Sequence, residues 1–94
     1  MHLADYCDFV ANELVEKHSL SALVVCISMG GELNFCYENM QWSITWLESK
    51  LKLENAVTGE KQLFEDMTTL VTEGKLGKGY FLENWDKVTI EFLF

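Results

Sequence analysis

The sequence predicts a small α+β domain, an antiparallel sheet with two or three helices packed on it, in the order α-β-β-α-α-β-β. Three observations carry that reading. Two stretches place apolar residues at helical spacing with acids on the opposite side. Several short runs rich in β-branched and aromatic residues read as strands. The chain has 94 residues, 49% of them hydrophobic, enough for one core and no more. Residues 1–94 are therefore read as one domain, without a repeat or a linker.

The first element spans about Leu3 to Lys17. At ~100° per residue, Leu3, Tyr6, Cys7, Val10 and Leu14 fall on one face, with Asp5, Asp8, Asn12 and Glu16 opposite. Acids in a first turn also suit the positive end of the helix dipole. Phe9 breaks the pattern by lying among the acids.

Leu20 to Met29 is a β-rich run built on the apolar stretch Leu23, Val24, Val25, Cys26 and Ile27, as expected of a strand covered on both faces or at least a central one. Gly30-Gly31 then fits a two-residue hairpin turn, because glycine tolerates positive φ. It leads into a strand over Glu32 to Tyr37, where Leu33, Phe35 and Tyr37 alternate with Glu32, Asn34 and Cys36.

Residues 40–54 admit two readings. As a helix capped by Asn39 they show one stripe at Met40, Ile44, Leu47 and Leu51, an opposite one at Trp42, Trp46 and Leu53, and an i,i+4 pair of Glu48 with Lys52. As a strand, Trp42, Ile44 and Trp46 alternate with Gln41, Ser43 and Thr45, which explains only the first half. The helix is the reading taken forward.

A helix from Thr58 to Glu73 follows from Thr58 as N-cap, a stripe of Leu63, Phe64, Met67, Leu70 and Val71, and Gly74 as a stop. A loop over Lys75 to Gly79 leads to a strand at Tyr80-Phe81-Leu82, a turn at 83–87, and a last strand from Val88 to Phe94.

Charge narrows the function. Fifteen acids oppose seven cations, all lysine, for a net charge of -8. Arginine, which makes bidentate contacts to phosphate and guanine, is missing, so direct nucleic-acid binding is not expected. Anionic membrane surfaces should repel the chain, and its longest apolar run, Ala22 to Ile27, is far below the ~18 residues of a membrane span. Three cysteines, Cys7, Cys26 and Cys36, cannot all pair within the chain, and Met1 to Asp5 carries no secretory signal. A cytoplasmic location follows as the expectation.

Motifs with chemistry are scarce. His2, His18 and the three cysteines form no CxxC or HxxxH pair, so no metal or cofactor is expected. Thr58-Gly59-Glu60-Lys61 copies a zinc-finger linker without the fingers, and Gly74, Gly77, Lys78 and Gly79 do not complete GxxxxGK[ST]. No cysteine or serine has an imidazole placed by the pattern. The expectation is a protein without catalytic activity.

What remains is surface. Asp5, Asp8 and Glu16 with Phe9 form one candidate partner-binding face. Glu65, Asp66 and Glu73 form a second, and Trp85 among acids resembles an interface anchor. A small acidic chain without arginine resembles, in composition, the counter-defence proteins of phages and plasmids and small immunity proteins. The resemblance implies an inhibitor whose carboxylates occupy a basic nucleic-acid- or nucleotide-binding surface of a protein partner. The alternative is a structural or adaptor module, a homodimer joined through the Trp42/Trp46 stripe or the C-terminal strand.

Overall fold

A meander of four strands, β1 (Leu33–Tyr37), β2 (Met40–Leu47), β3 (Lys50–Asn55) and β4 (Lys61–Phe64), forms most of one sheet. The structure is a computed structural model that describes residues 12–14 and 16–93, with 92 and 93 through their backbone only. After the meander come α2 (Met67–Glu73), a ribbon of β5 (Lys75–Leu76) and β6 (Gly79–Tyr80), α3 (Phe81–Asn84), a 3-10 turn at Trp85–Lys87, and β7 (Thr89–Leu93). α1 (Leu20–Ser28) precedes them all, behind helical residues 12–14 and 16–17. The sheet order is β4-β3-β2-β1-β7, each neighbour antiparallel. The α+β class with an antiparallel sheet thus stands, while several elements within it differ from expectation.

Leu20 to Met29 is a helix, not a strand. Ser19 caps it, accepting a hydrogen bond from the Ala22 N–H at 3.2 Å. Ala22, Leu23 and Ile27 are buried, and Leu20, Val24, Val25 and Cys26 pack against the core in part. A nine-residue segment with an unbroken apolar centre from Ala22 to Ile27 suits a packed helix as well as a central strand.

Gly30-Gly31 accordingly ends this helix and makes no hairpin. The Gly30 N–H bonds to the Ile27 carbonyl and the Gly31 N–H to the Cys26 carbonyl, both at 3.0 Å, the pair of bonds that defines a Schellman cap. Gly30 holds φ +92°, and a Cβ there would meet no heavy atom within 4 Å. Its cost to any other residue is therefore conformational. Gly30→Val is expected to lower stability by about 1–2 kcal/mol, read as a lower urea midpoint at unchanged slope; an unmoved midpoint would contradict the cap.

Residues 40–54 are a β-hairpin, so the helix reading is also corrected. Leu47 pairs with Lys50 across a turn in which Glu48 takes φ 58°. Trp42 and Ile44 point to the core side with Leu51 and Leu53, all at most 3% exposed. Trp46, half-buried on the same side, donates its indole N–H to the Ile27 carbonyl at 3.1 Å. The two Trp residues thus share one buried sheet face, which removes the opposed stripes from the case for self-association. Lys52 pairs with Glu54 at 3.3 Å and not with Glu48.

The Thr58–Glu73 segment splits in two. Lys61–Phe64 is strand β4, and the helix begins only after Asp66, whose carboxylate accepts the Thr69 N–H at 2.8 Å. Met67, Leu70 and Val71 are buried as the helical stripe requires, whereas Leu63 is 51% exposed. Gly74 ends the helix, its N–H bonded to the Leu70 carbonyl at 2.8 Å. Tyr80-Phe81-Leu82 is not a strand: Tyr80 closes the ribbon, and Phe81 and Leu82 begin α3.

Leu33–Tyr37 shows the expected alternation, Thr89–Leu93 is a strand as expected, and the two pair with each other through a register shift between Asn34 and Phe35. Helices cover one sheet face, and Phe35, Phe81 and Trp85 form an aromatic cluster at the centre of that layer, with Phe81 stacked on Trp85 at 5.2 Å. Among the described residues no helix is long and apolar enough to cross a membrane.

Candidate acidic cleft

The β1–β2 turn consists of Glu38 and Asn39, at φ 51° and 64°, the conformation of a type I′ hairpin. This turn holds Glu38 at the end of the sheet, beside Tyr37. The β3–β4 connection lies at the same end and is organised by Asn55. That side chain is 3% exposed and accepts the N–H groups of Val57 at 2.8 Å and Thr58 at 3.1 Å. Thr58 Oγ1 in turn accepts the Glu60 N–H at 3.3 Å.

A third wall comes from far along the chain. The Gln62 side chain grips the backbone of Lys75 twice, donating to its carbonyl and accepting its N–H, each at 2.9 Å. This amide serves as a one-residue strand and fixes the β5–β6 ribbon beside β4. The ribbon turns at Gly77, with φ +62°, and a Cβ there would stand 3.8 Å from Tyr37 Cε2 and 3.9 Å from Glu38 Oε2. Asn84, also buried, donates from Nδ2 to the Tyr80 carbonyl at 3.1 Å and braces α3 against the ribbon.

Between these walls lies an open cleft of about 760 Å³, lined by Tyr37, Glu38, Met40, Trp42, Asn55, Thr58, Glu60, the Gly77–Gly79 turn, Glu83 and Asn84. A smaller depression of about 380 Å³ adjoins it, sharing Trp42, Glu60 and Gly77 and adding Lys61, Gln62 and Lys75. Three exposed carboxylates, Glu38, Glu60 and Glu83, face one lysine, Lys78, in the larger cleft. None of the four forms an ion pair among the described residues, whereas Glu13, Glu54 and Glu65 are each matched by a lysine. Both buried polar residues of the described core, Asn55 and Asn84, line the cleft. So does Trp42, whose buried indole N–H has no hydrogen-bond partner. Burial first, and then the hydrogen bond and charge of Glu38, push the Tyr37 hydroxyl above its ordinary value of 10.0, so it remains a donor at neutral pH.

Of the residues singled out from sequence, those that are described lie outside the cleft lining. Asp5, Asp8 and Phe9 are outside the described residues; Glu16 is exposed. Glu65, Asp66 and Glu73 do not share a helical face, because the helix starts after the first two. Glu65 sits 3.1 Å from Lys50, and Asp66 is engaged as the helix cap. The hydrogen bonds from Thr69 hold the Asp66 carboxyl below its ordinary value of 3.8.

Trp85 requires a correction. It is 3% exposed, donates its indole N–H to the His18 carbonyl at 2.7 Å, and packs against Phe35 and Phe81. A ring so enclosed offers no face to a partner. His18 is likewise held: its Nε2–H donates to the Val88 carbonyl at 2.8 Å, and its ring meets Trp85 edge to face at 5.7 Å. Among the described residues no three of His, Cys, Asp and Glu are grouped to hold a metal ion.

The cleft residues escaped sequence analysis because Glu38, Glu60 and Glu83 are far apart in the chain and lie on turns and a short helix. One local signal was present: Asn55 followed by Gly59, between Lys50–Asn55 and Lys61–Phe64, marks a hairpin loop. No family model, no curated protein and no solved structure matches this chain.

Proposed function

We propose that this protein acts without catalysis, as an acidic binding protein that occupies a basic, polyanion-binding surface of a partner protein. The observation that carries this reading is the cleft, where three carboxylates without internal lysine partners gather on a chain of net charge -8. Carboxylates left unpaired in the free protein are available to lysines and arginines of a partner, and a field of one sign speeds the encounter.

The test is affinity capture on the immobilised protein followed by elution. A partner that itself binds nucleic acid, retained at low salt and released by raised salt or by duplex DNA, is the expected result. A partner whose retention ignores both eluants, or recovery of this chain alone, would overturn the reading. Recovery of this chain alone would favour the self-associating module, whose remaining support is β7 at one end of the strand order.

A further inference from the structure

The sheet ends at β7 on one side and at β4 on the other. The Asn55 N–H bonds to the Glu60 carbonyl at 3.0 Å, and the same register runs on from Glu54↔Lys61 to Leu51↔Phe64. Antiparallel pairs alternate between bonded and open, so Gln62 and Phe64 bond to β3, and the N–H and C=O of Lys61 and Leu63 point away from the sheet. Among the described residues these outward groups have no backbone partner. The β5–β6 ribbon does not pair with them: it forms a sheet of its own and is held through the Gln62 side chain. The side chains of this edge follow an order. Lys61 lies opposite Glu54 and Leu63 opposite Lys52, on the face turned away from Leu51 and Leu53. Glu65 extends the row, since it meets Lys50 at 3.1 Å, the next position of the same register. The edge thus presents a cation, an exposed apolar residue and an anion in sequence. Such a row is complementary to itself when reversed.

We propose that β4 is a dimer edge, where a second copy of this chain adds its own β4 antiparallel about a two-fold axis at Leu63. The Leu63 N–H donates to the Leu63 carbonyl of the second copy, and the reverse bond follows by symmetry. Leu63 packs on Leu63 of the second copy, and Lys61 stands opposite Glu65 of the second copy. Read across the joined sheets, the charges run Lys50, Glu65, then Lys61 and Glu54 of the second copy, with no like charges adjacent. That alternation selects a copy of this chain over another extended segment. Lys61 is free to take part, because it stands 3.8 Å from Glu54, which Lys52 approaches more closely at 3.3 Å. An edge this short buries less than a standard interface, so the dimer is weak and forms at about 10 μM to about 1 mM. It uses the edge opposite the C-terminal strand and none of Glu38, Glu60 and Glu83. The inference therefore goes beyond the basic-partner reading and does not depend on it.

The experiment is sedimentation equilibrium of the full chain over that concentration range, with amide NMR shifts followed in parallel. Physiological salt is used, because it screens the repulsion between two chains of charge -8. The mass should rise from 10.8 kDa toward twice that value, with shifts centred on residues 61–65. Lys61→Glu and Glu65→Lys each turn two attractive contacts into repulsive ones, and each should weaken association by about tenfold or more. Mixed in equal amounts, the two variants should associate again, since every such contact between them is then Glu with Lys. Leu63→Thr, a strand former at an exposed position, should also weaken the dimer without altering charge. All three positions are exposed, so melting temperatures should stay within about 4 °C of the unaltered chain. A single 10.8 kDa species at every concentration would overturn the proposal. So would shifts centred on Thr89–Glu91, or a mixture of the two charge variants no more associated than either alone. No partner is present in these samples, so none of these outcomes bears on the capture experiment.

Discussion

Replacing Trp85 by alanine is expected to cost about 3–5 kcal/mol of folding stability, the usual range for deleting a large aromatic from a packed core. The ring is 3% exposed, lies stacked on Phe81 at 5.2 Å and stands edge-on to Phe35 at 6.0 Å. Its N–H bond to the His18 carbonyl, at 2.7 Å, ties the 85–88 segment to the residue that precedes the Ser19 cap of α1. Small domains have about 5–15 kcal/mol in total, so Trp85→Ala should fold poorly, with a melting temperature lower by well over about 10 °C. Trp85→Phe keeps most of the ring and loses the hydrogen bond, and should cost about 1–2 kcal/mol. Urea titration of both variants checks the order. An unmoved midpoint in Trp85→Ala, with a loss of partner binding, would restore Trp85 as a surface anchor.

Asn55→Ala is expected to cost about 1–3 kcal/mol, because one side-chain oxygen of a residue 3% exposed satisfies two backbone donors. The effect should be local as well as global. Amide exchange at Val57 and Thr58 should accelerate more than in the Phe35–Trp85 layer, since the side chain holds the 55–60 loop and not the aromatic core. Uniform acceleration over the whole chain would show that the loop has no separate support. The same loop carries Thr58 and Glu60 into the cleft, so its loss joins stability to the site.

The legibility of this sequence follows the uniqueness of its patterns. Leu33–Tyr37 was readable because strict alternation with one buried face permits one register. Leu20–Ser28 was not, because an apolar run of that length fits a buried helix and a central strand equally, and Gly30-Gly31 suits both a cap and a hairpin. Only the Ser19 cap, acting through Ala22, separates the two. The 40–54 hairpin hid its turn: Glu48 takes positive φ where glycine or asparagine would have marked the bend. At 58–73 the apolar pair Leu63-Phe64 ran on into Met67, so a strand followed by a capped helix passed for one helix.

The α+β class survived these exchanges because helix and strand signals occurred in about the right number. The second acidic face did not, since Glu65 and Asp66 precede the helix expected to carry them, while Asp5 and Asp8 lie outside the described residues. The cleft instead depends on sheet register and on the grip of Gln62 on Lys75, neither of which is a local pattern.

The measurement that tests the central claim most directly is competition on the partner recovered by capture. Its bound nucleic acid is titrated with this protein, at low and at physiological ionic strength. The account predicts one-to-one displacement that weakens as salt screens the encounter, and a weaker competitor when Glu38, Glu60 and Glu83 are changed to glutamine. A partner that holds nucleic acid and this protein together, with affinity indifferent to salt and to those three substitutions, would contradict it.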